Sequence, residues 1–239
     1  MSTKMKAIIL AAGRSSRLYP ITLEKPKCLL EVGMKRMIDW QINAIRDIGI
    51  KDIVVVVGYK GDMIKEELGD DRIRYREYTD YENTNNLHTL WSVKEELNGG
   101  LLCFFADVIF DVEIIKRAKE SEEDICVIVD TSKVLEGTMN VKIEDGNLIS
   151  LGSHISASEA SGTFIGIAKF SDTGTKMLLE QMASTVSGHQ DDYYTIAIDS
   201  LGKKGVKIGY VDVRDKMWLE IDTKEDLDNA RKRYPQMRK

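Results

Sequence analysis

Short apolar runs alternate with amphipathic segments through the first half of the chain. Runs at residues 7–11, 53–57, 73–76, 101–105 and 125–129 are almost continuously apolar, the pattern of strands buried on both faces. Between them, residues 37–47, 62–68, 87–97 and 112–120 carry apolar side chains at helical spacing. The alternation predicts an α/β fold with a mostly parallel sheet covered by helices on both faces. In such a fold ligands bind beyond the carboxyl ends of the strands.

The pattern changes after about residue 130. Runs at 139–143 and 148–151 flank Glu144-Asp145-Gly146-Asn147, whose Asp-Gly pair predicts a hairpin turn. A strand at 164–170, helices at 173–182 and 193–201, and short strands at 206–211 and 217–221 follow. Thr223 is placed to cap a last helix over 224–234, with Asp226 at its third position. No linker, repeat or low-complexity stretch divides the chain. One mixed-sheet domain is expected over 1–239, antiparallel and lid-like after 130.

Composition narrows the field. The 239 residues suffice for a substantial core, and 43% hydrophobic and 31% charged residues are ordinary for a soluble globular protein. A net charge of −5 argues against a general nucleic-acid binder. Cys28, Cys103 and Cys126 lie in apolar contexts without metal spacing, as buried thiols in a reducing compartment would. No apolar run approaches the roughly 18 residues of a membrane span, and the N-terminal residues lack a signal-peptide core. A cytoplasmic location is the expectation.

Against this acidic balance residues 14–27 are locally basic. The first strand runs into Ala12-Gly13, and a loop bearing Arg14, Arg17, Lys25 and Lys27 follows, punctuated by Pro20 and Pro26. Small residues at a strand end admit a ligand close to the backbone, where N–H groups wrap an anion. Four surrounding cations point to a polyphosphate. The loop lacks the Gly-Lys-Ser/Thr of a Walker A loop, and Gly13 stands alone where a dinucleotide fingerprint needs three glycines.

Leu10-Ala11-Ala12-Gly13, Arg17-Leu18, Pro26-Lys27 and Leu29-Leu30-Glu31-Val32-Gly33 together resemble the signature of the nucleotidyltransferases that activate sugar phosphates and small head-group phosphates with a nucleoside triphosphate. The resemblance implies a Rossmann-like, GT-A-like domain with a nucleotide-binding half at 1–130 and an acceptor-binding half at 131–239. It implies that Leu10, Ala11, Ala12, Gly13 and Arg14 cradle the nucleotide. Lys27 would serve the α-phosphate or acceptor phosphate, and Arg17 the β- and γ-phosphates.

In that chemistry a phosphate oxygen attacks the α-phosphorus and pyrophosphate leaves. A phosphomonoester is largely ionised at pH 7, its second pKa being about 6, so no general base is needed. The site must instead align two repelling anions and neutralise their charge, which calls for Mg²⁺ on carboxylates and for Lys or Arg on phosphates. Asp107 follows the apolar run 101–106 at its carboxyl end, and Asp222 stands in Glu220-Ile221-Asp222-Thr223, which resembles the family's carboxyl-terminal motif. These two are the expected metal ligands, with Glu220 a lesser candidate.

The branch is read from Glu82-Asn83-Thr84-Asn85-Asn86-Leu87-His88-Thr89-Leu90. It lacks the Gln-rich stretch of sugar-phosphate enzymes and resembles the Asn-Asn-Ile-x-Ser-Leu of bacterial phosphocholine cytidylyltransferases. Asn83, Asn85 and Asn86 would then read the base of CTP, although helix capping alone would account for one of them. Where sugar-specific members present an acid, Gly162-Thr163-Phe164 offers threonine. Trp91, Tyr193, Tyr194 and Trp218, with Asp192, would form an aromatic and acidic acceptor site suited to a quaternary ammonium. Tyr78, Tyr81 and Asp191 lie nearby in sequence.

The partners implied are CTP and a small phosphorylated acceptor: phosphocholine first, with inositol phosphate and aminoalkylphosphonates as further candidates. A sugar-1-phosphate nucleotidyltransferase using UTP, dTTP or GTP is the alternative enzyme. A non-catalytic nucleotide sensor is the rival of another class, against which stand Lys27, Asp107 and Asp222. Neither nucleic acid nor a membrane span is expected, and nothing decides between a monomer and a homodimer. Residues 185–192, rich in Ser, Gly and Asp, suggest a mobile lid.

Overall fold

The computed structural model describes residues 5–233. Its first strand, β1 (Met5–Ala11), is followed by a 3₁₀ turn at Ser16–Leu18, the short α1 (Ile21–Glu24) and a second 3₁₀ turn at Lys27–Leu29. A small ribbon of β2 (Glu31–Val32) and β3 (Lys35–Arg36) leads into α2 (Met37–Asp47), β4 (Asp52–Val57), α3 (Gly61–Leu68) and β5 (Ile73–Glu77). Then come α4 (Asn86–Trp91), β6 (Gly100–Phe105), β7 (Val108–Phe110), α5 (Val112–Glu120) and β8 (Ile125–Asp130). The second half holds β9 (Asn140–Glu144), β10 (Asn147–Gly152), β11 (Gly162–Phe170), α6 (Asp172–Thr185) and α7 (Thr195–Lys203). It closes with β12 (Gly209–Asp212), β13 (Trp218–Glu220) and α8 (Lys224–Arg233).

A nine-stranded sheet runs β10-β9-β11-β6-β1-β4-β5, with β8 on β11 and β12 on β8. β1, β4, β5 and β6 are parallel, whereas β11 lies antiparallel to β6, β8 and β9. This is the mixed, mostly parallel sheet that the apolar pattern predicts. One core cluster runs from Ala7 through Phe104 and Phe170 to Trp218. The hairpin turn forms where Asp-Gly stands, with Asp145 and Gly146 both at positive φ (49° and 75°). All three cysteines are free and buried, and burial pushes the Cys28 and Cys103 thiols up to about 12.

A second, smaller cluster joins Leu18, Leu30, Val32, Met37, Ile109, Ile221, Leu227 and Ala230. It ties both 3₁₀ turns, β7, the end of β13 and α8 into one platform. The last helix is described to Arg233; Tyr234, its expected final residue, lies outside the described residues.

The helix expected over 87–97 stops at Trp91, and a 3₁₀ turn at Lys94–Glu96 replaces its second half. That turn drives Glu96 against Lys6 (3.0 Å), Arg74 (2.6 Å) and Arg76 (2.6 Å). Burial opposes the Glu96 charge, yet the hydrogen bonds from Arg74 and Lys6 outweigh it and hold the carboxyl down at about 2. Such a group stabilises the fold above its ordinary value near 4.3, and the contribution is lost as pH falls through 2. Breaking a buried pair costs about 3–5 kcal/mol, and less here because Arg74 and Arg76 are 39% and 46% exposed. Glu96→Gln is expected to lose about 2–3 kcal/mol at pH 7 in urea unfolding. Its deficit against wild type should close between about pH 4.3 and 2.

Candidate active site

β1 lies between β4 and β6, and Leu10 pairs with Phe105. Gly13, past the end of β1, and Asp107, past the end of β6, therefore emerge at the same sheet edge. A cleft of about 160 Å³ opens there, walled by residues 10–13, Lys27, Tyr81, Thr84, Asn85, Asn86, Asp107 and Tyr193. Gly58 ends the neighbouring strand beneath this wall. A Cβ on it would stand 2.7 Å from Tyr81 Cδ1 and 2.8 Å from the carbonyl oxygens of Ala12 and Tyr78. Its role went unread in the sequence, although Val57-Gly58-Tyr59 repeats the small-residue strand ending seen at Gly13.

Two aspartates far apart in sequence meet because β7 and β13 pair antiparallel, with Glu220 opposite Val108. The Ile221 N–H donates to the Asp107 carbonyl at 3.1 Å, extending the ribbon. Asp107 precedes β7 and Asp222 follows β13, so their carboxylates come to one place. Lys27 rises between them from its 3₁₀ turn, which is anchored by buried Cys28 and Leu29. Its ammonium donates to Asp107 Oδ2 at 2.9 Å and Asp222 Oδ1 at 2.7 Å. Arg17 adds an ion pair to Asp222 Oδ1 at 3.0 Å.

Burial opposes the Lys27 charge, but the two carboxylates outweigh it and hold the ammonium above the ordinary lysine range. Burial and the charges of Asp107 and then Asp222 push the Glu220 carboxyl up to about 8. Three carboxylates thus face one lysine and one arginine, and Asp107 Oδ1 is buried without a hydrogen-bond partner. This oxygen-rich, electron-rich corner fits a hard divalent cation. Among the described residues no three His, Cys, Asp or Glu side chains gather closely enough to hold a metal by themselves. Asp107 and Asp222 would share one with substrate oxygens and water.

The asparagines divide. Asn85 caps α4, its side chain accepting from Asn86 N at 2.8 Å, and Asn86 Oδ1 accepts from Tyr194 N at 2.8 Å. Both line the cleft. Asn83 donates to Asp80 at 2.7 Å in an exposed turn and is not among the residues that wall the cleft. Arg14 reaches Tyr19 (3.1 Å) and Glu82 (3.2 Å), and Lys25 faces Glu67 at 3.9 Å. Arg17 lines two neighbouring cavities and not the cleft itself.

The aromatic residues expected at the acceptor site have different surroundings. Tyr194 is fully buried, edge-on to Phe105 at 5.7 Å, because it fills the core beneath the cleft. The Trp91 ring lies under Lys94 at 4.8 Å, and the Trp218 ring, which borders a cavity of about 430 Å³ beside Arg17, Glu220 and Asp222, lies under Lys133 at 4.9 Å. Tyr78 is hydrogen-bonded to Thr84. Tyr193 does open on the cleft and on two adjoining cavities, and Asp192, paired with His189 at 2.6 Å, lines one of these.

The segment suggested as a mobile lid is fastened to the start of α4. Asn85 N donates to Gln190 O at 2.7 Å, Leu87 N to Asp192 O at 3.2 Å, and Asn85 Nδ2 to Asp191 O at 3.2 Å. Thr163, expected where sugar enzymes carry an acid, is buried and bonds Leu135 N and Lys133 O, each at 3.1 Å.

The family model for nucleotidyl transferases matches residues 6–236, and the chain belongs to that family. It is a nucleotidyltransferase. It is 30% identical to the CTP:phosphoglutamine cytidylyltransferase of Campylobacter jejuni, over 94% of this chain and 98% of that protein. It is 45% identical to the choline-phosphate cytidylyltransferase of Streptococcus pneumoniae over 39% of this chain and 41% of that one. A solved structure of the CTP:phosphocholine cytidylyltransferase of Streptococcus pneumoniae superposes with a TM-score of 0.79 at 25% identity, covering 96% of this chain and 98% of that one. No helix among the described residues is long and apolar enough to cross a membrane.

Gly58→Ala tests the packing under the cleft. Two of the three contacts are to backbone oxygens that cannot yield locally, so about 1–3 kcal/mol of stability should be lost. Displacement of Ala12 should weaken nucleotide use by about tenfold or more, read as KM for the nucleotide beside an unfolding curve.

Proposed function

We propose that this chain transfers the CMP moiety of CTP to the phosphate of a small acceptor, with release of pyrophosphate. The observation that carries the reading is Lys27 held between Asp107 and Asp222, at the point where the nucleotide cleft meets the cavity containing Arg17 and Glu220. The cytidylyltransferases among the relatives support CTP as donor. Phosphocholine, inositol phosphate and aminoalkylphosphonates are the acceptors considered; a sugar 1-phosphate with UTP, dTTP or GTP is the alternative.

Each residue has a physical task in this reading. The 10–13 backbone takes the nucleotide against the sheet edge, with Asn85 and Asn86 at its base end. Lys27 neutralises charge on the α-phosphate as the acceptor oxygen approaches, and Arg17 on the phosphates beside Asp222. The acceptor's phosphate is already ionised, so the site need only align it. Mg²⁺, which Asp107 and Asp222 would hold, would supply further charge neutralisation at the phosphates.

Pyrophosphate release should occur with CTP and a head-group phosphate, and far more slowly with UTP, dTTP, GTP or glucose 1-phosphate. Preference for a sugar phosphate would move the chain to the alternative branch. Lys27→Met should lower kcat by about 10²–10³ while CTP still binds, a loss typical of removing one transition-state charge contact. Calorimetric CTP binding and an unfolding curve would accompany the rate. Unchanged kcat would remove Lys27 from the chemistry.

A further inference from the structure

We infer that the acceptor bears a carboxylate besides the phosphate that attacks, and that Lys133 binds it. The inference rests on the cytidylyltransfer reading above and names the acceptor's class. A cavity of about 430 Å³ adjoins the clamp, sharing Arg17, Glu220 and Asp222 with the small cavity that touches Asp107. An acceptor whose phosphate lies at the clamp extends its body into this space.

Lys133 stands on that wall as a positioned cation. Its ammonium lies 4.9 Å from the centroid of Trp218, whose indole N–H donates to Asp130 at 2.7 Å. Thr163 pins the backbone on either side, donating to the Lys133 carbonyl and accepting from Leu135 N. The nearest countercharge, Asp130, is 3.5 Å away and already accepts from Ser132 N, Ser132 Oγ and Trp218. With its side chain 45% exposed, Lys133 keeps donors free toward the cavity. A cation fixed before the ligand arrives spares the ordering cost of catching one.

The neighbouring acids are differently placed. Asp226 accepts from Asp222 N, Thr223 N and Thr223 Oγ1, and Asp222 is held by Lys27 and Arg17. Glu136 lines the same cavity with no ion pair or hydrogen bond among the described residues, so it suits an ammonium. A carboxylate at Lys133 and an ammonium toward Glu136 describe a phosphorylated amino acid. In this cavity the aromatic side chain offered to a trimethylammonium is Trp218, whose ring Lys133 already covers with like charge. In the transfer itself an acceptor phosphate oxygen bonds to the α-phosphorus of CTP. The bond from that phosphorus to the oxygen bridging to the β-phosphate breaks, and pyrophosphate leaves with the electron pair. The carboxylate takes no part beyond binding.

The experiment compares acceptors that differ by the carboxylate alone, O-phosphoserine against phosphoethanolamine and phosphoglutamine against its decarboxylated counterpart, with phosphocholine alongside. Pyrophosphate release is followed with CTP and Mg²⁺ on the full chain. At least one carboxylated member should exceed its partner tenfold or more in kcat/KM. Lys133→Ala should bring that ratio toward one, mainly through KM, and Lys133→Arg should keep it. Lys133→Gln replaces the alanine variant if the latter does not fold, judged by unfolding temperature and CTP binding. A preference for phosphocholine or the carboxylate-free partners, or a ratio untouched by loss of Lys133, overturns the inference. So does a protein that binds CTP yet turns over no carboxylated acceptor. A protein that does not bind CTP fails the functional reading instead.

Discussion

The Lys27 ammonium, 2.9 Å from Asp107 and 2.7 Å from Asp222, makes a buried corner of like charges tolerable. Carboxylates withdrawn from water repel each other and lose hydration, and removing one partner of such a group typically costs about 3–5 kcal/mol. Much of the architecture serves to bring the three together. The β7–β13 ribbon sets the two aspartates side by side. The smaller core cluster holds the turns bearing Arg17 and Lys27 against that ribbon and α8. In the proposed reaction arriving phosphates would meet a cation already in place, where fixed charge is most effective in catalysis.

The site also draws on both halves of the chain. The wall of the cleft comes largely from the parallel half, through residues 10–13 and the start of α4. Residues 190–194 cross from the other half and bond to residues 85–87 through backbone and asparagine groups. Tyr193, carried on this segment, opens on the cleft and on two further cavities. The start of α4 and the segment that carries Tyr193 are therefore joined by direct hydrogen bonds.

The parallel strands were legible because a strand buried on both faces leaves a continuous apolar run, and the helices at 37–47 and 112–120 because their spacing is regular. The Asp145-Gly146 turn was legible because its geometry requires those residues. The meeting of Lys27, Asp107 and Asp222 followed from a resemblance of motifs; β7 and β13 are too short to announce their pairing. Aromatic residues are less legible for a specific reason. A sequence shows that a ring is present but not what covers its face, and Lys94, Lys133 and the core cover Trp91, Trp218 and Tyr194. At 185–192 composition suggests mobility, while the hydrogen bonds of residues 190–192 to Asn85 and Leu87 are invisible in it.

CTP labelled in its α-phosphate follows the reacting atom itself. The protein, CTP, Mg²⁺ and a series of small phosphomonoesters would be mixed in a single turnover and the labelled products separated. The account predicts label in a CMP-linked head group, with unlabelled pyrophosphate released in equal amount. Label recovered only as free CMP would show hydrolysis, and label remaining in bound CTP would show a sensor; either result would contradict nucleotidyl transfer at Lys27.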